Sequence, residues 1–150
     1  MSQQGDGVDL EASMGYALKE ASSALRTAME DVLRPLGMNV THYSCLELLA
    51  QRPGLSNSEL ARGTFVTRQS MNVLLRALEG DGSVIRPTEP SAGRVLPARL
   101  TAHGERRRAE ASAAVRSVEK RMLDGLTEQQ QAETLAILQR MTRSLRHRDA

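Results

Sequence analysis

A chain of 150 residues suits a single domain of ordinary size, one that can bury roughly 70% of its unfolded surface. Its apolar residues are mostly good helix formers, 20 Leu and 18 Ala against two Ile and nine Val, which argues against a mainly β fold. One cysteine excludes an internal disulfide framework, no apolar run approaches the ~20 residues needed to cross a bilayer, and Met1-Ser2-Gln3-Gln4-Gly5-Asp6 lacks the order of a signal peptide. The expectation is a soluble, cytoplasmic, mainly α protein.

Met14, Leu18, Ala21, Leu25, Ala28 and Val32 recur at three- and four-residue spacing, which predicts a long helix over 10–33 with one narrow apolar stripe. Pro35 and Gly37 stop it. Thr41 is the expected cap of a second helix that carries Leu46, Leu48 and Leu49 and ends before Pro53-Gly54. Ser56-Asn57-Ser58-Glu59 has the form of a capping box, in which the hydroxyl accepts from the amide three residues on and the carboxylate reaches back. It opens a short third helix that breaks near Gly63-Thr64. Thr67 caps a fourth, running to about Glu79 and closed by Gly80-Asp81-Gly82.

Residues 84–88 and 94–100 then read as two short strands. Glu89-Pro90-Ser91-Ala92-Gly93 between them has turn chemistry, and Pro97, with no amide hydrogen, calls for an edge position. Thr101 caps a long fifth helix bearing Ala102, Ala109, Ala113 and Met122. Thr127-Glu128-Gln129-Gln130 is a second capping box, and it opens a last helix with Leu135, Leu138, Met141 and Leu145 on one side.

Two short helices joined by a tight turn and followed by a basic hairpin have the order of a winged helix-turn-helix. In the second of the two, Met71, Leu74, Leu75 and Leu78 fall at i, i+3, i+4 and i+7 and must pack inward. That turns Arg68, Gln69, Asn72 and Arg76 outward, with Thr67 and Ser70 at the entry turn and Ser56 at the start of the preceding helix. These residue types match the groups that duplex DNA presents: arginine to guanine, glutamine or asparagine to adenine, hydroxyls to phosphate or base. Arg68, Gln69 and Asn72 are the specificity candidates because the first turn of a reading helix makes most base contacts. Arg76 suits a phosphate.

On the hairpin, Arg86 and Arg94 join the expected DNA-binding set. Arg94, beside Gly93, is best placed to enter a minor groove or, alternatively, to pair with Glu89. The charge distribution agrees. Residues 51–108 carry ten basic side chains, all arginine, against five acidic ones, whereas residues 1–50 carry three against seven.

Ser-Asn-Ser-Glu-Leu-Ala (56–61), Val-Thr-Arg-Gln-Ser-Met-Asn-Val-Leu-Leu-Arg-Ala-Leu-Glu (66–79) and Arg-Leu-Thr-Ala-His-Gly (99–104) resemble the multiple-antibiotic-resistance regulator (MarR) family, and the likeness spans nearly the whole chain. The resemblance implies a sequence-specific double-stranded DNA-binding transcription regulator, a repressor that acts as a homodimer on a pseudo-palindromic operator and is released by a small-molecule effector. Two positions depart from the family pattern. The wing has Ala92-Gly93-Arg94 where the family usually has Asp-x-Arg, and Val73 stands where the reading helix often has another arginine.

The dimer can also be argued from the residues. The outer helices (10–33, 101–123 and 128–146) are too long for the lobe at 41–100 to cover, so their apolar stripes need a partner. The expected organisation is one domain, with dimerisation helices at 10–36 and 101–148 and a winged helix-turn-helix lobe at 41–100. An ordinary intramolecular bundle is the alternative.

Cys45, among Leu46, Leu48 and Leu49, reads as a buried inert thiol. His42-x-x-Cys45 offers only two ligands, so no metal is expected. No cofactor and no catalytic set are expected either. Arg106-Arg107-Arg108 would face phosphates or pair with Glu105 and Glu110. Tyr16, His42 and Tyr43 are candidates to line an effector pocket. The competing reading is a helical protein-interaction module whose winged helix no longer reads DNA.

Overall fold

The structure, a computed structural model, describes residues 7–89, 94–95 and 97–147. The chain falls into two compact units, residues 1–118 and 119–150.

The first unit begins with a single 3-10 turn, Leu10–Ala12, and helix α1 (Met14–Leu33). One continuous helix from Leu10 was expected. Instead the Ser13 hydroxyl accepts from the Tyr16 amide at 3.1 Å and restarts the backbone there as a cap. The predicted stripe changes character along α1. Met14 and Leu18 are 74% and 46% exposed, Leu25, Ala28 and Val32 are half-buried, and Leu33 is fully buried.

Helix α2 (Val40–Gln51) is capped by Asn39 rather than Thr41. Asn39 Oδ1 accepts from the His42 amide at 2.8 Å, and His42 Nδ1 accepts from the Asn39 amide at 3.3 Å. The two halves of a capping box are thus made with an imidazole in the place of the usual carboxylate or amide. Helix α3 (Asn57–Thr64) opens on the predicted Ser56–Glu59 box, at 3.2 and 3.1 Å. Gly63 lets α3 lie close to α2, since a Cβ there would stand 2.7 Å from Leu48 Cδ1. Helix α4 (Arg68–Gly80) is capped by Thr67, and it buries Met71, Leu74, Leu75 and Leu78 as the spacing requires. These join Leu33, Tyr43, Cys45, Leu46, Leu49 and Leu60 in one apolar core. Each fully buried leucine there contributes ~1.5–3 kcal/mol of transfer free energy.

The wing is a hairpin made in two steps. Strand β1 (Val84–Ile85) pairs antiparallel with β4 (Arg99–Leu100), and β2 (Thr88–Glu89) with β3 (Arg94–Val95). Two continuous strands were expected. The ladder is interrupted at Pro87 and Pro97, which have no amide hydrogen to give it. The predicted turn at 90–93, with the Ala92-Gly93 departure, lies outside the described residues.

Helix α5 (Ala102–Met122) is latched to the end of α4. The Thr101 amide donates to Ser83 O at 3.0 Å, its hydroxyl donates to Gly82 O, and Gly104 N donates to Thr101 Oγ1 at 3.0 Å. In the second unit, α6 (Glu128–Arg146) starts on the predicted Thr127–Gln130 capping box, at 3.1 and 2.9 Å. Leu135, Leu138 and Leu145 of its stripe are exposed.

Candidate nucleic-acid interface

The reading face of α4 is built by elimination. Its apolar side is fixed in the core, so Arg68, Gln69, Asn72 and Arg76 are all exposed. Thr67 fixes the helix start: its Oγ1 accepts from the Ser70 amide at 3.0 Å and donates to Ser70 Oγ at 3.0 Å. Arg68 and Arg76 form no ion pair among the described residues, which leaves both guanidinium groups free for an external anion. Arg62, exposed near the end of α3, adds a further cation. Ser56 stands at the start of α3 with its oxygen engaged by the Glu59 amide.

Asn72 is tied to a residue that sequence reasoning did not single out. Asn57 Nδ2 donates to Asn72 Oδ1 at 2.6 Å, which bridges α3 to α4 and orients the Asn72 amide. The two residues are 15 positions apart, and no spacing rule connects them.

Arg86 departs from expectation. Its Nε donates to Glu79 Oε1 at 2.6 Å, and its side chain is only 18% exposed. The guanidinium braces the end of α4 against the strand side of the lobe and leaves the set of free cations. Arg94 pairs with Glu89 in the backbone register of β2 and β3. The side chains of residues 88–96 lie outside the described ones.

Two of the three arginines in the run on α5 are held by protein groups. Arg107 Nη1 donates to Asp81 Oδ2 and to Ser83 Oγ, both at 2.7 Å, and Nη2 donates to Gly37 O at 3.5 Å. Burial raises the Asp81 carboxyl, but hydrogen bonds from Ser83 and the Arg107 charge outweigh it and hold the group below its ordinary range. Arg108 joins Glu105 at 2.7 Å and Glu47 at 3.1 Å. Glu105 was expected as a partner, whereas Glu47, across on α2, was not. Arg106 alone of the three is exposed.

The three pocket candidates lie in different settings. Tyr16 is exposed near the start of α1, and His42 is half-buried in its capping box. Burial first, and the Arg107 charge second, lower the His42 pKa below 6.5. Tyr43 is buried and alone of the three lines a cleft of about 230 Å³, together with Ser44, Glu47, Leu48, Gln51, Arg52 and Gly63. Cys45 is fully buried, with Sγ 4.0 Å from Met71 Sδ, and burial pushes its thiol up to about 12. No cluster of metal-ligating side chains occurs among the described residues.

The chain that carries this arrangement has relatives among known proteins. A MarR family model matches residues 36–95, from just after α1 into the wing. The HTH-type transcriptional repressor Rv2887 of Mycobacterium tuberculosis is 43% identical over 135 residues, covering 90% of this chain and 97% of the relative. The chain belongs to the MarR family.

As a MarR-family protein it is a winged-helix transcription regulator, as the motifs implied. Rv2887 has been solved in complex with DNA, and that structure superposes with a TM-score of 0.72 at 42% identity, covering 87% of this chain and 98% of the other. Its complex with salicylic acid gives a TM-score of 0.73 at 44% identity, covering 87% and 96%. No described helix of this MarR-family chain is long and apolar enough to cross a membrane.

Proposed function

We propose that this protein is a ligand-responsive transcriptional repressor that binds a pseudo-palindromic operator as a homodimer. The observation that carries this reading is the exposed row Arg68, Gln69, Asn72 and Arg76 on a helix whose opposite side is locked into the core. In this role Arg68, Gln69 and Asn72 meet base edges, while Arg76 meets phosphate and Arg94 of the wing enters a minor groove. Ser70 and Ser56 are hydroxyl donors at the two helix starts, where backbone amides also favour phosphate, and Thr67 holds the Ser70 hydroxyl in place by donating to it. Arg86, held by Glu79, supports the wing rather than the DNA.

Met14 and Leu18 of α1 in the first unit, and separately Leu135, Leu138 and Leu145 of α6 in the second, are exposed apolar residues that each offer contacts to a second copy. Two-fold pairing puts two reading helices about one DNA turn apart. The curated relatives named as repressors support repression. The salicylic acid complex of Rv2887 makes an aromatic carboxylic acid the effector class to test first. The protein carries out no reaction and acts in the cytoplasm, on the DNA. The free Arg68 and Arg76, together with the DNA complex of Rv2887, favour DNA reading over a protein-interaction module.

A gel-shift titration against genomic fragments, with and without salicylate, tests this. Retention of a discrete fragment and its release by the acid are the expected results. Equal, weak retention of every fragment would overturn sequence-specific reading.

A further inference from the structure

Val73 is an apolar side chain at the middle of a polar face. It is 61% exposed and lies on α4 four residues after Gln69 and three before Arg76. At helical spacing, positions 69, 72, 73 and 76 share one side, opposite Met71, Leu74, Leu75 and Leu78. Val73 is therefore flanked along the helix by an amide on one turn and a free arginine on the next. Folding gives no reason for a valine here. A β-branched residue is a poorer helix former than alanine or arginine, and this one covers nothing in the core.

The partner of this face is identified by its charge and by the chemistry of its neighbours as duplex DNA. In the major groove, base edges offer hydrogen-bonding groups and one prominent apolar group, the C5-methyl of thymine. We propose that Val73 is a specificity-determining residue whose γ-methyl groups pack on a thymine methyl in each half-site. This rests on the DNA-reading function above and adds the identity of one base. Val73 requires a thymine beside the base met by Gln69, on the side toward the phosphate met by Arg76, and it discriminates against cytosine there by apolar contact rather than by a hydrogen bond.

The test needs an operator, which the wild-type protein supplies by enrichment from a randomised duplex pool. Each thymine of the enriched duplex is then replaced in turn by deoxyuridine, which keeps every hydrogen-bonding group and removes only the methyl. Fluorescence anisotropy compares wild type with Val73→Ala, a substitution that keeps α4 intact because alanine is the better helix former. At one thymine per half-site, deoxyuridine should weaken wild-type binding about fourfold, the effect of re-exposing one methyl group to water. The same replacement should leave Val73→Ala unaffected. Equal losses in both proteins at every thymine, or no loss at any, would overturn the role of Val73 while leaving DNA reading in place. Failure of any duplex to enrich would overturn the DNA-reading function, and this assignment with it.

Discussion

Gly15 and Gly104 both lie in the first turn of a helix, yet the same change to alanine should move stability in opposite directions. At Gly15 an added Cβ meets nothing nearer than Ser13 Oγ at 3.8 Å, an ordinary contact. Alanine there restricts the unfolded chain and should raise stability by ~0.4–1 kcal/mol. At Gly104 the Cβ would stand 1.9 Å from Ser83 O and 2.9 Å from Ser83 C, both backbone atoms. Since a carbon rests ~3.3 Å or more from a carbonyl oxygen, α5 must retreat by more than about 1 Å. That retreat strains the latch, in which Thr101 N reaches Ser83 O at 3.0 Å and Arg107 reaches Ser83 Oγ at 2.7 Å. Overpacking of ~1–3 kcal/mol and weakened hydrogen bonds of ~0.5–1.5 kcal/mol each exceed the helix-propensity gain of about 1 kcal/mol. Gly104→Ala should therefore lose ~2–4 kcal/mol. Urea unfolding of both variants at one fixed protein concentration reads this as midpoint shifts of opposite sign at unchanged slope. A Gly104→Ala midpoint at or above wild type would refute the close approach of α5 to Ser83.

Other outcomes follow from single groups. His42 has a folded pKa below its unfolded 6.5, so its contribution is complete above pH 6.5 and is lost as pH falls through the folded value, because the unfolded chain takes the proton first. His42→Gln keeps an acceptor for the Asn39 amide without titrating, and its stability should fall less than wild type's between pH 7.5 and 5.5; parallel declines would refute the assignment. Cys45, with its thiol near 12, should resist a thiol reagent at neutral pH until the chain is unfolded, and rapid labelling of the folded protein would contradict its burial. Phe65 caps α3 at φ 61° while 82% exposed, so Phe65→Gly should raise stability by up to ~1 kcal/mol in thermal melts. Arg68→Ala should weaken the selected operator by ~1–3 kcal/mol and relax base preference, and unchanged affinity with unchanged preference would remove Arg68 from the reading set.

What the sequence shows and what it hides divide along physical lines. The inward row of α4 was legible because burial at helical spacing leaves a period that no other structure shares. The boxes at Ser56–Glu59 and Thr127–Gln130 were legible because both partners lie within four residues. The Asn39 cap was missed because its reciprocal partner is His42, which is outside the usual acid-or-amide pattern. Ser13 was missed because it interrupts a run whose apolar spacing continues through it. Pro97 signalled an edge, but only pairing shows that Pro87 and Pro97 split the wing into two steps. Arg86–Glu79, Asn57–Asn72 and Arg107–Asp81 join different elements, and a one-dimensional pattern carries no record of such pairs. The pocket candidates show a related limit: polar-tipped residues carry no mark in the sequence of the space they face, and of the three Tyr43 lines the cleft beside Glu47 and Gly63.

The account stands most directly on two copies of α4 gripping one duplex. Sedimentation velocity of the protein alone and with a labelled operator duplex, in dilute buffer, measures this in one experiment. A free species of two chains, and a complex of two chains per duplex, is the predicted result. A single chain that leaves the duplex unbound at low salt would contradict it.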